Sequence, residues 1–179
     1  MLAELVQSNF PEGVALPACL RAVCDYLDAH SYPISGCFEI CKHGRQAVEG
    51  WFPGAPDIQR QIAVFGNGST GSLYALWLAP CPNAEAAPVV LLGSEGEFTA
   101  LAGNALEFCR LLGLGYGEIE YDDLTTPPGD WEATAPLRAW LAARFPIQFP
   151  ATGEEIAHGA RDQHPGFAEW VRAWQDAHL

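Results

Sequence analysis

The chain has 179 residues, with 22 Asp and Glu against 9 Lys and Arg, for a formal charge of −13. That balance argues against nucleic acid or an anionic membrane surface as a direct ligand, since both need a basic patch to meet phosphate. It favours a basic partner, a cationic ligand, or plain solubility. The length suits one domain that buries roughly 70% of its extended surface and needs neither metal nor disulfide to hold it.

Leu16, Leu20, Val23 and Leu27 recur at helical spacing, so residues 16 to 30 are expected as a helix, with Pro17 at its first position. Cys37 to Cys41 alternates as a strand, with Phe38 and Ile40 on one face. His43-Gly44 reads as a turn, and Val48 to Phe52 as a returning hairpin partner. Gln61 to Phe65 is a short strand. The glycine-rich run Gly66 to Ser72 follows it, and then a segment apolar on both faces, Ser72 to Leu78, expected as an interior strand.

Val89 to Leu92 and Glu97 to Leu101 are further strands, joined by a turn at Gly93 to Gly96. Asn104 to Leu112 reads as a helix capped by Asn104 and stopped by Gly113. After an acidic loop come a helix near Pro136 to Arg144, and another opened by a Thr152/Glu155 capping box and broken at His164-Pro165-Gly166. A final helix carries the stripe Phe167, Trp170, Val171 and Trp174, expected to pack on the domain with Trp140 as a neighbour. Clustered strands followed by helices predict an α+β fold with a mostly antiparallel twisted sheet flanked by helices. The organisation expected is a core domain over 1–121, with an acidic loop and helical C-terminal extension over 122–179 packed on it.

The charge is uneven. Residues 61 to 137 carry ten acids and one base, Arg110. Glu118, Glu120, Asp122, Asp123, Asp130 and Glu132 fall within fifteen residues that contain no base. Such a run is either a solvated loop or a docking surface whose self-repulsion a basic partner relieves. These six acids, with Trp131 as an apolar anchor among them, are the candidate partner-binding residues.

Other motifs carry less. Gly66 to Ser72 lacks the Lys and following helix of a phosphate loop, and reads as a hairpin turn that needs glycine for positive φ. Cys37, Cys41 and His43 would share one face of an extended strand, but C-x3-C-x-H is not a usual zinc spacing and has no fourth ligand. Glu95 and Glu97 alone do not specify acid–base catalysis, and no Ser or Cys sits in a nucleophile elbow. No catalytic residue, metal or cofactor is therefore assigned. With no apolar run near 18 residues and no basic N-terminal leader, the expected location is the cytoplasm, with all six cysteines reduced.

The segment Ile62 to Leu112 resembles the SUKH superfamily, which groups yeast cell-wall-synthesis regulators with many bacterial immunity proteins. The residues that carry the likeness are Ile62-Ala63-Val64-Phe65-Gly66, Gly71-Ser72-Leu73-Tyr74-Ala75-Leu76-Trp77 and Pro88-Val89-Val90-Leu91-Leu92-Gly93-Ser94-Glu95-Gly96, followed by the Asn104 to Leu112 helix. Leu16-Pro17 at the opening of the first helix also fits. The likeness covers about 16 to 121. After the first helix, Ser31 to Gly36 replaces the Asn-Gly-Gly turn usual in the family. The resemblance implies a non-enzymatic α+β domain that binds and neutralises a cognate toxin, often a nuclease or deaminase. An acidic protein could occupy a nuclease's basic cleft. The alternatives are a regulatory scaffold of the yeast type, or a metal-binding protein or hydrolase.

Overall fold

The segment apolar on both faces lies at the centre of the molecule. In the computed structural model, which describes residues 1–32 and 34–178, Leu73–Trp77 is the third strand of an antiparallel sheet. The sheet runs β1 (Glu39–Ile40), β2 (Ile62–Asn67), β3 (Leu73–Trp77), β4 (Val89–Leu92) and β5 (Phe98–Ala102), each strand beside the next in sequence. Every residue of β3 and β4 is buried. Full burial of one large apolar side chain contributes about 1.5–3 kcal/mol, so these two strands, with the equally buried Ile62 to Phe65 of β2, carry most of the sheet's apolar burial.

Alternation along β3 divides its side chains between two cores. Tyr74 and Leu76 face the first, formed with α1 (Leu2–Asn9), α2 (Ala18–His30), α5 (Ala105–Leu112) and α6 (Ala135–Ala142). Leu73, Ala75 and Trp77 face the second, formed with α3 (Gly44–Trp51) and α8 (Phe167–His178). The short α4 (Pro56–Gln59) leads into β2, and α7 (Glu154–Gln163) lies along β5, with Ile156 in the first core and Ala160 in the second. The fold is α+β, a sheet between two helical layers, and residues 122–178 contribute to both cores.

Several local expectations are corrected. Val48 to Phe52 is not a hairpin strand but belongs to α3 and its C-cap. Ala47, Val48, Trp51 and Phe52 form a helical stripe against the second core, and burial of that stripe outweighs β-propensity. Gly44 starts this helix close to β2, where a Cβ would stand 2.8 Å from the Val64 carbonyl oxygen. The partner of β1 is β2, through Glu39↔Asn67 and Ile40↔Gly66. A bulge between Val64 and Gly66 interrupts the β2–β3 register, and the Phe38 ring occupies the space a side chain on Gly66 would need.

Asn104 caps α5 as expected, its Oδ1 accepting from the Glu107 N–H at 2.9 Å. The Thr152 side chain caps nothing at the start of α7; only the Glu155 half of the box forms, accepting from the Thr152 N–H at 3.1 Å. Trp140 is not a neighbour of Trp170 and Trp174. It packs on the opposite side of the sheet, donating to the Ala22 carbonyl at 2.9 Å and meeting Tyr26 edge-on. Trp170 instead meets Trp77 and Phe52, each ring centroid 5.8 Å away.

Candidate functional site

Two turns and one loop meet at one end of the sheet. The β2–β3 turn closes through the Gly68 N–H on the Ser72 carbonyl at 2.9 Å, with Gly71 at φ +92°. The β4–β5 turn closes through the Gly93 N–H on the Glu97 carbonyl at 2.7 Å, with Gly96 at φ +89°. Both turns need glycine for that left-handed backbone. The segment after α5 crosses these tips and carries Glu118 and Glu120.

Glu118 is half-buried and clamps the first turn. Its Oε2 accepts from the Ser69 hydroxyl at 2.8 Å and the Ser69 N–H at 3.2 Å, and its Oε1 accepts from the Tyr74 phenol at 3.1 Å. Burial first, and then the Glu118 charge, push the Tyr74 phenol well above its ordinary pKa. Glu120 bridges the two turns, Oε2 accepting from the Thr70 hydroxyl at 2.9 Å and Oε1 from the Ser94 N–H at 3.1 Å. The Ser94 hydroxyl lies 3.1 Å from the Thr70 hydroxyl and 3.2 Å from that of the exposed Tyr121. Gly68 and Gly93 leave the space these carboxylates use: a Cβ would stand 3.0 Å from Glu118 Oε1 at the first and 2.9 Å from Glu120 Oε1 at the second.

Asp122 and Asp123 are exposed. Asp122 accepts from the Glu118 N–H at 3.1 Å and so fixes the loop that carries the clamp. Asp123 accepts from the Thr125 hydroxyl at 2.6 Å and its N–H at 3.0 Å, and these bonds lower its pKa.

The other three candidates form a separate group around Gly113 to Gly115. The Asp130 N–H donates to the Gly115 carbonyl at 3.1 Å, and Asp130 and Glu132 are exposed. Trp131 is half-buried against the first core and covered by Arg138, whose guanidinium stands 3.5 Å from the ring centroid and donates to the Trp131 carbonyl at 2.6 Å. The tertiary structure thus brings a cation to a stretch whose sequence has none. The hydroxyls of Ser69, Thr70, Ser94 and Tyr121 were missed by reading the acidic run alone. The available signal was the hydroxyl-rich turns at the hairpin tips.

Cys37, Cys41 and His43 do not share a strand face. Strand β1 ends at Ile40 with one further backbone bond, from the Cys41 N–H to the Phe65 carbonyl at 3.0 Å, before the chain turns into α3; Cys37 is exposed and Cys41 buried, and among the described residues no group of three or more His, Cys, Asp or Glu is placed to hold a metal. No helix among the described residues is long and apolar enough to cross a membrane.

Compared with protein-family models, curated proteins and solved structures, the chain matches none.

Proposed function

We propose that the protein is a non-enzymatic immunity protein of SUKH type, which docks a basic toxin domain on the acidic end of its sheet and neutralises it in the cytoplasm. The observation that carries this reading is the state of the Glu118 and Glu120 carboxylates. Their partners are hydroxyls and backbone N–H groups, which are neutral donors that fix an oxygen without cancelling its charge.

Six of the nine basic residues are engaged away from Glu118 and Glu120. Arg110 pairs with Glu107 at 2.7 Å, Arg161 with Glu154 at 2.5 Å, and Arg60 with Asp57. Arg144 lies over the Trp140 ring, Arg138 over Trp131, and Arg45 donates to the Phe10 carbonyl. Among the described residues none of the six candidate acids is in an ion pair. A fixed, unneutralised acidic edge steers a basic partner and has little ordering entropy to lose on docking. The resemblance supplies the kind of partner, a toxin domain with a basic cleft, and the segments that carry it coincide with β2, β3, β4 and α5.

The test is co-expression with a toxin domain encoded beside the gene, read as host growth and as recovery of a complex at low salt. Restored growth together with a stable complex is the expected result. Complex formation without rescue would overturn the immunity role and favour a scaffold. No rescue and no complex with any neighbouring gene product would overturn docking to such a toxin.

A further inference from the structure

The β2–β3 turn that presents Ser69 and Thr70 to the acidic edge also walls a cavity on its other side. This cavity of about 480 Å³ opens beside Gly71 and Leu73 and is bounded by Ala47, Trp51, Pro53 and Trp174. Its walls carry no charged side chain. Leu73 and Trp174 belong to the second core, and Trp51 is half-buried, edge-on to Phe98 at 5.7 Å. The cavity is therefore a mostly apolar recess in the surface of the second core, with Gln175 its one polar lining side chain. Gly71, on its rim, is bonded to Thr70, whose hydroxyl holds Glu120. Apolar recess and acidic edge are thus two sides of one turn.

We infer that this recess is the anchor pocket of the docking surface: it takes one large apolar side chain from a basic protein segment whose flanking Arg or Lys residues meet Glu120 and its neighbours across the β2–β3 turn. This inference rests on the acidic-edge reading and adds the chemistry of the partner. Charge complementarity selects the occupant, since a basic segment alone gains from the edge beside the recess in a chain of charge −13. A large side chain seated in an apolar surface recess, with charges at its rim, is the usual arrangement of an energetically dominant interface contact once the partner covers it. The division of labour follows: the pocket sets how long the partner stays, and the edge sets how fast it arrives.

The test needs no protein variant. Three synthetic peptides are titrated into the isotopically labelled full chain at low salt: one of Arg and Gly residues with a single central Phe, one with that Phe replaced by Ala, and one with the Arg residues replaced by Glu. The Phe peptide is expected to shift the Trp51 and Trp174 indole resonances together with the Gly71 amide, the Ala peptide to bind at least fivefold more weakly, and the Glu peptide not to bind. Equal affinity with and without Phe, or shifts confined to residues 118–123, would overturn the pocket and leave the acidic-edge reading standing. Absence of any binding up to millimolar peptide would also overturn the pocket, while the immunity role is decided separately by the toxin co-expression.

Discussion

The Tyr74 phenol donates to Glu118 Oε1 at 3.1 Å, which ties the centre of the sheet to a loop 44 residues further along the chain. Tyr74 is fully buried, so its hydroxyl has no water to fall back on if the carboxylate is removed. Glu118→Ala is expected to cost about 2 kcal/mol, in the range for buried donors that lose a charged acceptor, and Glu118→Gln about half of that. Urea denaturation of the two variants checks it; equal midpoints for Glu118→Ala and the unaltered protein would show the clamp to be inert.

The same phenol makes a prediction in base. Its folded pKa lies above the ordinary value of 10.0, through burial first and the Glu118 charge second. The folded state therefore holds this proton where the unfolded chain has lost it. That contribution to stability is complete below pH 10 and is lost as pH rises above it. Tyr74→Phe should flatten the decline of stability above pH 10, as read by denaturation at fixed pH values.

Charge steering should show in kinetics. With the cognate partner, a variant carrying Glu120→Gln, Asp122→Asn and Asp123→Asn is expected to associate about tenfold more slowly at low salt, with dissociation little changed. The difference should vanish near 1 M salt, where the Debye length is about 3 Å. A salt-independent association rate would rule out the edge as a steering surface.

Gly36 has φ +45°, and a side chain there would run into the backbone of Gly117, whose carbonyl accepts from the Cys37 N–H at 2.9 Å. Gly36→Ala combines backbone strain with a collision against main chain, which cannot rotate aside as a side chain can. A loss of about 3 kcal/mol or more is expected by thermal or chemical denaturation. Gly54, also at positive φ but with open space around it, is the control, and its change to Ala should cost about 1 kcal/mol.

Thiol reactivity should sort by burial. Cys37 is exposed, whereas Cys24 is buried, and burial with the charges of Asp25 and Asp28 pushes its pKa up to about 12. A thiol with that pKa is about one part in ten thousand thiolate at pH 8. Cys37 should react first with a disulfide reagent in the native protein, and six thiols should titrate on unfolding. Rapid native labelling of Cys24 or Cys109 would show that the packing of α2 on α5 opens readily.

The sequence by itself determined the elements whose periodicity is long and whose surroundings are uniform. β3 announces itself because a strand buried on both faces must be apolar throughout, and α5 because a polar cap and an apolar stripe coincide. Phe167, Trp170, Val171 and Trp174 marked α8 and its packing, although which core they join was not legible. Tertiary structure alone decided the rest. In residues 44–52 the strand and helix patterns compete, and the choice fell to the helix because its stripe is buried against the second core. In α1, too short to be stable alone, Ala3 and Val6 acquire their burial only on the finished first core. The acidic run could be counted from residues, but not divided. Glu118 and Glu120 went to the hairpin tips because the hydroxyls of Ser69, Thr70 and Tyr74 stand there, while Trp131 went under Arg138. Those partners lie up to 50 residues away in sequence, and only closure of the sheet brings them within the few ångströms at which a hydrogen bond acts.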